Sequence, residues 1–172
     1  GKTPHTESLI RLFRGRGLRV GVVSRGYGRL TSGYWLMAGG ESADCVGDEP
    51  AQMKRKYPDI WMAVSENRLL GLGNMMATPA GDAPQVYLLD DAFQHRRVRA
   101  GVNIVLADYG RPVDTDALLP AGRLREPVSG LRRADIVVVT KCPPGLTHAE
   151  ADAMAARVLG GLKRPVFFTT LR

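Results

Sequence analysis

Val86-Tyr87-Leu88-Leu89-Asp90-Asp91 is an apolar run that stops on two aspartates. Such an unbroken run predicts a strand covered on both faces, as parallel sheets require. A rigid strand ending in a carboxylate delivers it to the sheet's C-terminal edge, where open α/β sheets bind ligands. Phe93-Gln94-His95-Arg96-Arg97 follows, which adds an amide and two cations near the same strand end. Two readings compete. Asp90-Asp91 also suits a solvated turn, and Val105-Leu106-Ala107-Asp108 has the same form. The doubled acid and the residues after it favour Asp90 for a Mg²⁺ site.

Working outward, further short apolar runs at 20–23, 34–37, 60–64, 104–107, 136–139 and 166–169 predict strands. Helical spacing predicts helices over 6–14, 50–57, 66–76 and 151–159, the third weakened by two glycines. Pro50 suits a first helical turn, and Thr147 with Glu150 forms a capping-box pattern. Alternating strands and helices predict an α/β fold, a doubly wound and mostly parallel sheet. A chain of 172 residues makes about one domain on length alone. Residues 110–130, rich in Pro, Gly and Arg, are the longest irregular stretch, and a long loop in a compact domain is more often functional than incidental.

Hydrophobic residues at 44% and charged residues at 24% describe an ordinary globular chain. No apolar run reaches the ~18–20 residues that span a bilayer. The net charge of +7 favours an anionic partner: a nucleotide, a phosphorylated substrate, an anionic membrane or a nucleic acid. Nucleic acid is disfavoured because no aromatic stacking motif or recognition helix accompanies the charge. Cys45 and Cys142 lack metal-ligand spacing.

Gly1-Lys2-Thr3 matches the last three positions of a phosphate-binding loop. A helix starting there points free N–H groups at a phosphate, with Lys2 reaching the outer phosphates and the Thr3 hydroxyl holding Mg²⁺. In Gly47-Asp48-Glu49-Pro50, an acid at a helix entrance is either a cap or a base for a sugar hydroxyl. Ser24-Arg25-Gly26-Tyr27-Gly28-Arg29 is either a basic turn or a loop that brings backbone and cations to a phosphate. Arg125-Glu126 offers one cation for a phosphoryl group and one carboxylate for a metal. Thr140-Lys141 ends a strand, as nucleotide-base contacts of P-loop proteins often do.

Taken in order, G-K-T-P, S-R-G-Y-G-R, G-D-E-P, D-D-A-F-Q-H-R-R, L-P-A-G-R-L-R-E-P and V-T-K resemble the tetraacyldisaccharide 4′-kinases, the lipid A 4′-kinases. The resemblance implies a P-loop nucleotide-binding lobe over 1–172 and transfer of the ATP γ-phosphate to the 4′-hydroxyl of a tetraacylated glucosamine disaccharide 1-phosphate. It implies ATP and Mg²⁺ as cofactors, and work at the cytoplasmic face of the inner membrane of a Gram-negative cell. By resemblance, Gly1, Lys2 and Thr3 act in the phosphate loop and Lys141 contacts the nucleotide. Asp48 is the base. Thr3, Asp90, Asp91, Gln94 and Glu126 surround Mg²⁺. Arg125 neutralises the phosphoryl group, and Arg25 with Tyr27 lies near the substrate. Ala92 stands where the family usually has glycine, which leaves the acids and Gln94 in place. The family's histidine that pairs with the base falls beyond Arg172. The first strand, the start of the phosphate loop, any N-terminal membrane helix and a smaller C-terminal lobe are likewise expected outside these residues. Rival readings are a P-loop GTPase or metallochaperone-type switch, and a P-loop kinase with another small-molecule acceptor.

Overall fold

The computed structural model describes residues 2–79, 81–114 and 116–170. The chain divides into two compact units, Gly1–Val98 and Arg99–Arg172.

The first unit is built around β1 (Val20–Ser24), buried along its whole length. It pairs in parallel with β3 (Trp61–Val64) on one side and β4 (Val86–Leu89) on the other. An antiparallel edge strand, β2 (Trp35–Leu36), completes the order β2-β3-β1-β4. It is shorter than the 34–37 run suggests: Trp35 and Leu36 form the ladder with β3, and Met37 adds one hydrogen bond to Met62 O at 2.8 Å beyond it.

Strand periodicity assigns the helices to faces. Val20 and Val22 of β1, with Met62 and Val64 of β3, point to one face. There they pack with Ile10 of α1 (Lys2–Arg14), Val46 of α2 (Ala43–Val46) and Met53 of α3 (Asp48–Lys56). Val23 and Ala63 point to the other face and pack with Met75 and Leu72 of α4 (Arg68–Met76). Fully burying one such side chain contributes roughly 1.5–3 kcal/mol. Helices on both faces of a mostly parallel sheet make this a doubly wound arrangement, as the alternation of strands and helices suggests.

Two glycines set how closely α4 approaches. A Cβ on Gly21 would lie 2.6 Å from Met75 Sδ, and one on Gly71 would lie 2.8 Å from Val23 Cγ1. The glycine that weakens α4 by propensity therefore permits its contact with the sheet.

The second unit holds the all-parallel sheet β5-β6-β7: β5 (Ile104–Asp108), β6 (Ile136–Cys142) and β7 (Val166–Thr170). Val137 and Val139 pack with Met154 and Val158 of α5 (His148–Leu159). The capping box is formed: Thr147 Oγ1 accepts from Glu150 N, and Glu150 Oε2 accepts from Thr147 N at 2.8 Å. A 3-10 helix, Val128–Arg133, begins within the last residues of the long irregular stretch. Among the described residues, no helix is long and apolar enough to cross a membrane.

Candidate active site

In the first unit, the C-terminal ends of β1 and β4 and the start of α1 converge. α1 begins at Lys2, and its ammonium forms an ion pair with Asp91 just past β4. One turn on, Thr6 Oγ1 donates to Asp90 Oδ1 at 3.2 Å. Thr3 is half-buried in the same first turn. Gly1 lies outside the described residues.

The two aspartates differ in environment. Asp90 is only 4% exposed. Burial raises its pKa above the ordinary carboxylate value; the Thr6 hydrogen bond lowers it, the charges of Glu49 and Asp91 raise it further, and Lys2 lowers it. Asp91 is half-buried and held at φ 49°, a left-handed conformation uncommon outside glycine. Gln94 is exposed in the turn that follows.

Beneath these acids lies a residue that the motifs do not mark. Arg68, the first residue of α4, is 1% exposed. Its guanidinium donates to the carbonyls of Ser65 at 2.6 Å, Asp90 at 3.2 Å and Asp91 at 3.5 Å. Burial lowers its pKa, and the charges of Asp90 and Asp91 act against that shift. The pKa of His95 is lowered, first by burial and then by the cations Arg68 and Arg25. No motif or spacing in the sequence marks Arg68, which lies inside the helix predicted over 66–76.

The G-D-E-P segment lies beside the S-R-G-Y-G-R turn. A Cβ on Gly47 would fall 2.9 Å from Tyr27 O, and one on Gly26 would fall 2.7 Å from Val46 O. Both glycines have positive φ, 92° and 69°. The α3 cap is Gly47, and no side chain caps that helix. Asp48 is its first residue and exposed, so the capping reading of this acid has no hydrogen bond behind it. Arg25 and Tyr27 are exposed in the adjoining turn, Tyr27 at 90%. The second arginine of that turn serves the fold: Arg29 pairs with Glu66 and donates to Gly33 O at 2.5 Å.

The remaining motif residues belong to the second unit. Arg125 is exposed, and Glu126 pairs with Arg133 of the 3-10 helix. Lys141, at φ 59°, pairs with Asp108. The hydrogen bond from Lys141 lowers the Asp108 pKa. The two strand-end aspartates thus part company: Asp108 is held by a lysine of its own sheet, and Asp90 is buried beside the first turns of α1.

The oxygen donors near Asp90 fit a hard divalent cation. Among the described residues, no three His, Cys, Asp or Glu converge as a complete metal cage. Mg²⁺ does not require one, since it keeps several waters and takes one or two carboxylates plus phosphate oxygens. A buried carboxylate beside two further acids is where a cation relieves most repulsion.

The family model for tetraacyldisaccharide-1-P 4′-kinase (LpxK) matches residues 1–169. Tetraacyldisaccharide 4′-kinase of Parabacteroides distasonis is 55% identical over 142 residues, covering 83% of this chain and 38% of that protein. Its counterpart from Phocaeicola vulgatus is 46% identical, covering 99% of this chain and 46% of that protein. A crystal structure of "apo" form LpxK from Aquifex aeolicus in complex with ATP matches with a TM-score of 0.74 and 32% identity, over 98% of this chain and 49% of that one. The chain therefore spans about half the length of the curated relatives it matches, and it belongs to the tetraacyldisaccharide-1-P 4′-kinase family.

Proposed function

We propose that this chain supplies the nucleotide-binding part of an ATP-dependent kinase. The kinase phosphorylates the 4′-hydroxyl of a tetraacylated glucosamine disaccharide 1-phosphate, a lipid A precursor. The observation that carries the reading is the convergence of the Lys2 ammonium and Thr6 hydroxyl on Asp91 and Asp90 at the sheet's C-terminal edge. That pairs the start of a phosphate-loop helix with the acids of a metal site. Family membership supports the same conclusion.

Phosphoryl transfer depends mainly on positioning and charge neutralisation. Gly1, Lys2 and Thr3 close on the outer phosphates, with Lys2 exchanging its partner Asp91 for phosphate oxygens. Asp48 takes the proton from the 4′-hydroxyl. The sugar oxygen then bonds to the γ-phosphorus, the bond from that phosphorus to the β–γ bridging oxygen breaks, and ADP leaves. Thr3, Asp90, Asp91 and Gln94 would hold Mg²⁺, which would supply neutralisation of phosphate charge, and the family resemblance would add Glu126 to that set. Arg125 adds a cation to the phosphoryl group, and Lys141 contacts the nucleotide. Arg25 and Tyr27, beside Asp48, face the sugar. The lipid substrate and the +7 charge support work at an anionic membrane surface, the cytoplasmic face of the inner membrane.

The test is ATP-to-disaccharide phosphate transfer by the complete gene product carrying this chain, with Asp48→Ala alongside. A positioned base contributes about 10²- to 10⁴-fold. The expected result is a kcat loss of that order with nucleotide affinity kept. An unaffected variant would remove Asp48 from the base role. A folded, ATP-binding wild type with no transfer would overturn the acceptor.

A further inference from the structure

We propose that Arg68 is a positioning residue for the Mg²⁺-binding aspartates: it fixes the backbone on which Asp90 and Asp91 stand. The inference rests on the kinase reading above.

Three observations carry it. First, Arg68 stands where helix physics does not want it. As the first residue of α4 it puts a cation at the positive end of the dipole. The helix start is already served by Asn67, whose Oδ1 accepts from Leu69 N and Leu70 N. Arg68 is therefore not explained by capping.

Second, its burial is costly and specific. An arginine is rarely fully buried unless paired, and this one is 1% exposed. It spends the guanidinium on main-chain carbonyls, while its Nε has no hydrogen-bond partner. A core-filling role would be met more cheaply by an apolar side chain of similar volume.

Third, the carbonyls are those that matter to the site. Ser65 follows β3, and Asp90 and Asp91 follow β4, with β1 lying between those two strands. One planar fork thus ties two strand ends across the central strand. It also holds the peptide units on either side of Asp91's left-handed φ of 49°. Since a non-glycine residue there needs surrounding structure to over-determine it, the fork sets the direction of both carboxylates. Lysine would keep the charge but not the planar fork.

The experiment uses the complete gene product with Arg68→Gln and Arg68→Lys. The readouts are kcat, the KM values of ATP and lipid, the Mg²⁺ concentration at half-maximal rate, and thermal stability. Partners one shell behind a metal's ligands typically tune affinity or activity by 10- to 100-fold. The expected outcome is a kcat loss and a raised Mg²⁺ requirement in about that range for Arg68→Gln. The lipid KM should be unchanged, and rescue by Arg68→Lys only partial. Unchanged Mg²⁺ dependence in both variants overturns the proposal. So does full recovery with lysine, which would show that charge alone suffices. So does loss of folded protein with wild-type kcat per ATP-binding molecule, which would assign Arg68 to the core. Absence of transfer in the wild type would instead sink the kinase reading; the Mg²⁺ dependence of ATP binding, compared between wild type and variants, would still test Arg68.

Discussion

Asp90 is a carboxylate in a place that disfavours charge. Burial raises its folded pKa above the unfolded value. The sign follows: folding favours the protonated form, so Asp90's contribution to stability is full below the ordinary carboxylate range. It is lost as pH rises through the raised folded pKa. At neutral pH an ionised Asp90 therefore carries a cost that a bound cation would relieve. Asp90→Asn keeps the Thr6 hydrogen bond and removes the charge. It should stabilise the ligand-free protein at pH 7 by on the order of 1 kcal/mol, the gain typical of relieving a functional site, and should abolish the extra stabilisation by Mg²⁺ with ATP. Urea unfolding at pH 7 and pH 5 measures it; an asparagine variant weaker than wild type at pH 7 would refute the burial account. At this scale the sequence is readable where chemistry repeats in short motifs, as for Lys2, Asp90 and Asp91. It is silent on Thr6, Glu7 and Arg68. Buried Glu7 pairs with Lys56, 49 positions away. A polar residue in an amphipathic pattern gains its partner only from the tertiary fold.

Among the elements, α4 shows why composition misleads. Its two glycines look equivalent in a helix, where each costs about 1 kcal/mol relative to alanine. In the fold they are opposites. A Cβ on Gly73 meets nothing within 4 Å, whereas one on Gly71 runs into Val23 and Ser65. Gly73→Ala should therefore stabilise by about 1 kcal/mol, the propensity gain alone. Gly71→Ala should destabilise by about 1–3 kcal/mol through overpacking. Chemical denaturation of both variants decides this, and equal signs would contradict the packing described here. Boundaries were readable where local physics governs them: the capping box of α5 and the run of β4 need no distant partner. α1 starts four residues earlier than its apolar spacing implies, because its first turn, Lys2 to His5, has no aliphatic core residue to set a spacing, and Lys2 pairs with Asp91. The four-residue α2 offers too little periodicity to be read at all.

At the scale of the molecule, alternation of strands and helices announces parallel α/β structure, but pairing is non-local and no run states its neighbours. That is why the described strands fall into two sheets where the pattern suggests one. Charge, by contrast, is a whole-chain property that composition gives directly. Part of the +7 lies at the end of the first unit's sheet away from the candidate site, where α1 ends and β1 begins. Arg14 there is offset by Asp59. Arg16 and Arg19 donate to backbone carbonyls, of Leu12 and Ala83. If the anionic-surface reading holds, each basic residue near a membrane surface adds about 1 kcal/mol, screened within a Debye length. The protein should sediment with vesicles containing phosphatidylglycerol, not with phosphatidylcholine alone, and should release as salt rises from about 0.1 M to 1 M, where the Debye length falls from about 10 Å to about 3 Å. Arg16→Glu with Arg19→Glu should lower that retention while leaving transfer to detergent-dispersed substrate unchanged, since neither residue touches the candidate site. Retention that ignores both salt and lipid charge would mean that the excess positive charge serves solubility or nucleotide attraction, and the membrane would have to be reached by other means.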